Sequence, residues 1–95
     1  MSDIRFTWDE RKNRVNQRKH GVLFEEASSV FWDEWALDAF DSGHSYDEDR
    51  FILLGLSKRL RVLIVSYSSK GEEIRIISAR KADKGEQQDY WEAYP

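Results

Sequence analysis

The sequence predicts a single α+β domain spanning residues 1–95, with an antiparallel β-sheet, two N-terminal helices and one C-terminal helix, in the order β-α-α-β-β-β-β-α. Three observations carry this prediction. Residues 50–57, 61–67 and 73–81 are short apolar runs separated by Ser-Lys-Arg and Ser-Ser-Lys-Gly turns, the pattern of a meander. Polar stretches with helix-capping residues lie on both sides of those runs. No repeat, linker or low-complexity segment divides the 95 residues, and 40% hydrophobic content is enough for one core.

The elements follow in order. Ile4 to Trp8 alternates and is β-prone, a short first strand. Asp9 caps a helix over 10–20, with Glu10 at the positive end of its dipole, Val15 as its main apolar contact and Gly21 as its stop. A second helix covers about residues 24–32, because Phe24, Ala27, Val30 and Phe31 share one face. Ala36 to Phe40 reads as an edge strand, followed by an acidic loop over 41–49. After the three meander strands, Asp83 opens a last helix over 83–93. Both faces of the meander are partly apolar, so helices should cover one face and a ligand or partner the other.

Composition narrows the function classes. There is no Cys, which removes disulfides, zinc-thiolate sites and thiol nucleophiles. No apolar run approaches the ~20 residues that span a bilayer, and no signal-type segment opens the chain, so a cytoplasmic location with no membrane contact is expected. No Walker, zinc or Ser-His-Asp spacing occurs, and neither metal nor cofactor is expected. The net charge is −3, but its distribution is uneven. Residues 21–49 carry nine carboxylates and no Lys or Arg, whereas residues 50–81 carry eight cations against two carboxylates. Residues 9–20 add five cations against two carboxylates. This asymmetry suggests separate anionic and cationic surfaces.

Several motifs together resemble one known family. Phe6-Thr-Trp-Asp-Glu-Arg-Lys-Asn, Lys19-His-Gly-Val-Leu-Phe-Glu-Glu-Ala, Glu48-Asp-Arg-Phe, Gly55, Arg61-Val-Leu-Ile-Val-Ser-Tyr and Arg75-Ile-Ile-Ser-Ala-Arg-Lys-Ala82 resemble the BrnT family of toxins. The resemblance runs from about residue 6 to residue 90. It implies a RelE-like, metal-independent endoribonuclease of a type II toxin–antitoxin pair. It also implies a cognate antitoxin with a ribbon-helix-helix part, a hetero-oligomer of the two, and contact with operator DNA only through that autorepressing complex. Where the family has an Arg before the Gly of the last turn, this chain has Lys70.

Metal-free RNA cleavage needs a base for the 2′-hydroxyl, an acid for the 5′-oxygen and cations at the phosphorane. Arg75, Arg80 and Arg61 are the best phosphate clamps, since a guanidinium matches two phosphate oxygens. On a regular strand Arg75 and Arg80 point to opposite faces and could serve one phosphate only if a bulge intervened. Each Arg is equally explained by a solvated position or a surface ion pair. His20, Glu48 and Tyr67 are the candidates for acid and base, with the roles open. His20 is also an ordinary residue for a helix C-terminus, Glu48 one of many acids in its loop, and Tyr67 a plausible core residue. His44 reads more simply as a loop residue. Lys12, Lys19, Arg50, Lys70 and Lys81 are candidate RNA contacts, though exposed Lys is commonly only solvated. Core packing or antitoxin contact suits at least three of the four Trp better than base stacking. The competing reading is a non-catalytic co-repressor that only docks an antitoxin.

Overall fold

A computed structural model describes residues 3–95. Its elements are β1 (Arg5–Thr7), α1 (Glu10–His20), α2 (Phe24–Ser29), β2 (Leu37–Phe40), β3 (Arg50–Leu56), β4 (Val62–Lys70), β5 (Glu73–Lys81) and α3 (Lys84–Ala93). Single 3₁₀ turns occupy Val30–Trp32 and Ser42–His44. The second of the expected helices thus tightens into a 3₁₀ turn over its last three residues. No helix among the described residues is long and apolar enough to cross a membrane.

The sheet order is β1-β5-β4-β3-β2. β2 through β5 form the expected antiparallel series, whereas β1 joins β5 in parallel, with Phe6 beside Ile74. The sheet is therefore mixed at one edge. A parallel neighbour needs a crossover, and the intervening helices and meander supply it.

One face of the sheet holds the main core. Leu53, Leu63, Val65, Tyr67, Ile76 and Ala79 pack there against Val22, Phe24, Ala27 and Val30 from the helical segment. Gly55 lets that segment approach closely. A Cβ at Gly55 would lie 2.8 Å from Val30 Cγ1 and 2.9 Å from the Ala36 Cβ, closer than packed side chains come. The lower end of the opposite face is covered by α3, whose Tyr90 is fully buried with Leu54, Val62 and Ala82. The rest of that second face is open. Three of the four Trp side chains stay on the surface: Trp32, Trp35 and Trp91 are all exposed, and only Trp8 packs against the core.

The helix termini follow local chemistry. Asp9 accepts from the N–H groups of Arg11 and Lys12, and Gly21 takes the left-handed conformation at φ 69°, donating to the Gln17 carbonyl. Asp83 and Glu86 form a capping box at the start of α3.

The docking of α1 departs from the sequence expectation. Val15 is 48% exposed, and the residues α1 buries are Asn13 and Asn16. β5 pairs with β1 only over Glu73–Arg75, which leaves the later half of its outer edge without a strand. Asn16 covers that edge. Its Nδ2 donates to the Ala79 carbonyl at 2.8 Å, and its Oδ1 accepts from the Ala79 N–H at 3.1 Å. Its Nδ2 also reaches the Val22 carbonyl at 2.8 Å. Asn13 caps α2 from outside, its Oδ1 accepting from the Phe24 N–H at 2.8 Å. A helix that docks through two carboxamides needs no apolar stripe, which is why Val15 is free. Asn16→Ala should lower stability by about 2–3 kcal/mol, because it leaves buried backbone groups unpaired. Urea unfolding checks this.

Candidate active site

The open face is assembled by pairing across β3, β4 and β5. Arg50 lies beside Ser68, and Ser68 beside Arg75. One step along, Ile52 lies beside Ser66, and Ser66 beside Ser78. Beyond them Leu54 lies beside Ile64, and Ile64 beside Arg80. Between the pairs Tyr67–Ile76 and Ser66–Ser78 the register shifts, so Ile77 is an extra residue on β5. This bulge reverses the alternation of the pleat. Arg75 and Arg80, expected on opposite faces of a regular strand, therefore share one face.

A cavity of about 410 Å³ opens on this face. Arg80, Ser78, Ser66 and Ile64 form its floor, His20 closes one wall, and Arg50, Asp41 and His44 close the other. His20 reaches it because α1 ends at the outer edge of β5, just past the Asn16 anchor. A second groove of about 300 Å³ runs along α1 between Arg11, Lys12, Val15 and Lys19, and shares His20, Ile77 and Ser78 with the first. The two form one cationic track across the bulge.

The arginines of the open face already hold partners. Arg80 binds Glu86 through both guanidinium nitrogens, at 2.8 and 2.9 Å, and that bond raises its pKa further above the usual value. The Arg80 guanidinium in turn holds the Glu86 carboxyl below its ordinary range, despite burial. Arg75 donates to Glu48, and Arg50 Nε lies 3.7 Å from the same carboxylate. Arg50 Nε is shielded from solvent and donates no hydrogen bond among the described residues.

Other sequence candidates lie elsewhere. Tyr67 is on the core face, 6% exposed, stacked against Phe51 and edge-on to Phe31. Burial, then its hydrogen bond to Asp38, raises its pKa well above the ordinary 10.0, so it neither reaches the cavity nor gives up a proton readily. Arg61 is a correction of the same kind. Its Nε donates to Glu26 at 2.9 Å and its Nη2 to the Gly21 carbonyl at 3.0 Å, pinning α2 to the turn after β3 rather than facing RNA. Lys70 sits exposed at the tip of the β4–β5 hairpin, and Lys81 follows Arg80 on the opposite pleat. Lys12 and Lys19 line the α1 groove. Glu48 stands beside the track, engaged by two guanidinium groups. Sequence reasoning set His44 aside as a loop residue and did not weigh Asp41, Ser66 or Ser78. The two serines carried a usable signal, since they are polar on an otherwise apolar pair of strands.

The Glu26 carboxyl is 3% exposed as a residue, and burial alone would raise its pKa. Bonds from Arg61 and Ser57 outweigh burial and hold it below the ordinary 4.5. A depressed folded pKa adds stability that is complete above the unfolded value and is lost as pH falls through the folded one. Glu26 thus supports the fold above about pH 4.5 and stops doing so in acid. The urea midpoint should fall in that range for the natural chain, and the fall should be shallower in Glu26→Gln. Arg61→Ala should cost about 3 kcal/mol by stranding a buried carboxylate, while leaving RNA affinity unchanged. Arg80→Ala should do the reverse, weakening RNA binding in fluorescence anisotropy with a smaller effect on stability.

Comparison with known proteins places this geometry. No curated protein matches the chain. The solved structure of the Brucella abortus ribonuclease toxin BrnT shares its fold, with a TM-score of 0.64 and 24% identity, covering 85% of this chain and 99% of that one. The family described as the ribonuclease toxin BrnT of type II toxin–antitoxin systems matches residues 8–86. The match spans most of the chain and contains the whole of the cavity described above, so the protein belongs to the BrnT family: an RNA-cleaving toxin whose partner is an antitoxin.

Proposed function

We propose that this toxin is a metal-independent endoribonuclease that arrests growth by cutting RNA on the open face of its sheet. The observation that carries the reading is the bulge at Ile77, which places Arg75 and Arg80 on one face with His20 at its edge. A ribose-phosphate step laid on this face meets Arg50, Arg75 and Arg80 at its phosphate, with Lys12 and Lys19 along the α1 groove for the flanking backbone. The phosphate takes the place of the Glu48 and Glu86 carboxylates, so guanidinium charge is exchanged between anions rather than exposed. Proton transfer at the 2′- and 5′-oxygens completes the reaction, and a 2′,3′-cyclic phosphate and a 5′-hydroxyl are the products. The imidazole of His20 and the guanidinium groups of Arg50 and Arg80 at the cavity are of the types that metal-free cleavage uses, which supports independence from metal.

The antitoxin carries a ribbon-helix-helix part, and the hetero-oligomer of the two represses the operon, so that operator DNA is met only through the complex. The family resemblance supports this part of the reading, together with a cytoplasmic site of action. A second reading, a non-catalytic co-repressor, is favoured by the carboxylates that occupy Arg75 and Arg80. Growth separates them: a docking module made without its antitoxin leaves growth unaffected.

Purified toxin incubated with RNA in EDTA should yield fragments ending in cyclic phosphate. Arg75→Ala and Arg80→Ala should each lower kcat by about 10²–10³ and relieve growth arrest, as loss of one preorganised cation at the phosphorane does. Intact RNA at equimolar enzyme, or full arrest by folded variants, would overturn the reading.

A further inference from the structure

His44 is placed for a role that its position in an acidic loop conceals. The loop between β2 and β3 is tied shut at its base. The Asp41 N–H donates to the Arg50 carbonyl at 2.8 Å, Ser45 Oγ donates to the Asp41 carbonyl at 2.5 Å, and the Arg50 N–H donates to Ser45 Oγ at 3.0 Å. Within this frame His44 Nδ1 lies 3.0 and 3.2 Å from the two Asp41 carboxylate oxygens. A carboxylate only accepts, so Nδ1 carries a proton, and in the neutral imidazole Nε2 keeps its lone pair. Both Asp41 and His44 line the cavity that His20 and Arg80 close from the other side.

From this geometry we infer that His44, oriented by Asp41, is the general base of the cleavage and His20 its acid, an assignment that rests on the ribonuclease reading above. Tyr67 is on the other face and Glu48 is held by two guanidinium groups, which leaves the two imidazoles that line the cavity as its proton-transfer pair. His44 Nε2 takes the 2′-hydroxyl proton, and the 2′-oxygen bonds to phosphorus. The bond from phosphorus to the 5′-oxygen breaks, its electron pair goes to that oxygen, and His20 supplies the proton. Asp41 faces the imidazolium that forms. Arg50 lies beside it on the same wall, Arg80 faces it across the cavity, and Tyr46, Asp47 and Glu48 lie behind it.

The test is cleavage of an RNA oligonucleotide in EDTA between about pH 5 and 9, with natural toxin, His44→Gln, Asp41→Asn and His20→Gln. His44→Gln should lower kcat by about 10²–10⁴ and remove the acidic limb of the pH profile, with melting unchanged because the side chain is 71% exposed. Asp41→Asn should give a smaller loss in kcat with KM unchanged. A substrate with sulfur at the 5′-bridging position needs no acid, so it should restore His20→Gln and not His44→Gln. Natural kcat and an intact acidic limb in His44→Gln, or its rescue by the sulfur substrate, would overturn the assignment. An inert natural toxin would instead bring down the ribonuclease reading, and this inference with it.

Discussion

The carboxamide of Asn16 takes the place of a strand. It offers one donor and one acceptor to Ala79, two residues past the bulge, where β5 has lost β1 and would otherwise present an open edge. Three features depend on it. The edge is closed to other strands, α1 is held at the height that brings His20 to the cavity, and the irregular stretch of β5 is held in place. The bulge and the anchor support each other, since Ala79 turns inward at a spacing of three from Ile76 only because Ile77 is extra. Remove either and the cations of β5 separate.

Charge distribution along the chain suggested two surfaces of opposite sign. Folding interleaves them instead. Glu26 from the acidic stretch closes on Arg61, and Glu48 closes on Arg75 and Arg50. The two kinds of pair differ in what surrounds them. Glu26 is buried and further bonded to Ser57, so its partner is committed to structure. Glu48 and Glu86 are part-exposed and reached by solvent, so their hold on the arginines of the open face is the weaker kind. Asp33 plays a third role, as a carboxylate held by uncharged donors. Burial acts to raise its pKa, but bonds from the Leu56 N–H, the Tyr90 hydroxyl and the Trp35 N–H outweigh that and keep it low, tying α3 to β3.

What was legible in the sequence was whatever local chemistry decides. Asp9, Gly21 and Asp83 end or begin helices through groups a few residues away, and the meander strands follow their own apolar runs. What escaped was decided at long range. Nothing near Ile77 marks a bulge, and the side chain that braces the strand beside it lies on α1, 63 residues from Ala79 in the chain. The same contact explains why Asn16 is buried and Val15 is not. Tyr67 looked like a site residue because alternation on β4 gives its face no identity until α2 is seen to cover it. His44 was discounted on composition, since a count of carboxylates does not say which one is bonded to the imidazole.

The parallel pairing of β1 with β5 has a bearing on how the toxin is made. Phe6 waits for Ile74, and α1 for Ala79, so the opening segment of a nascent chain has no seat on the sheet until nearly all of it has been translated. Contacts this distant in sequence close slowly. A chain stalled before β5 emerges has neither of the β5 arginines nor a wall for His20, so the open face does not form in it.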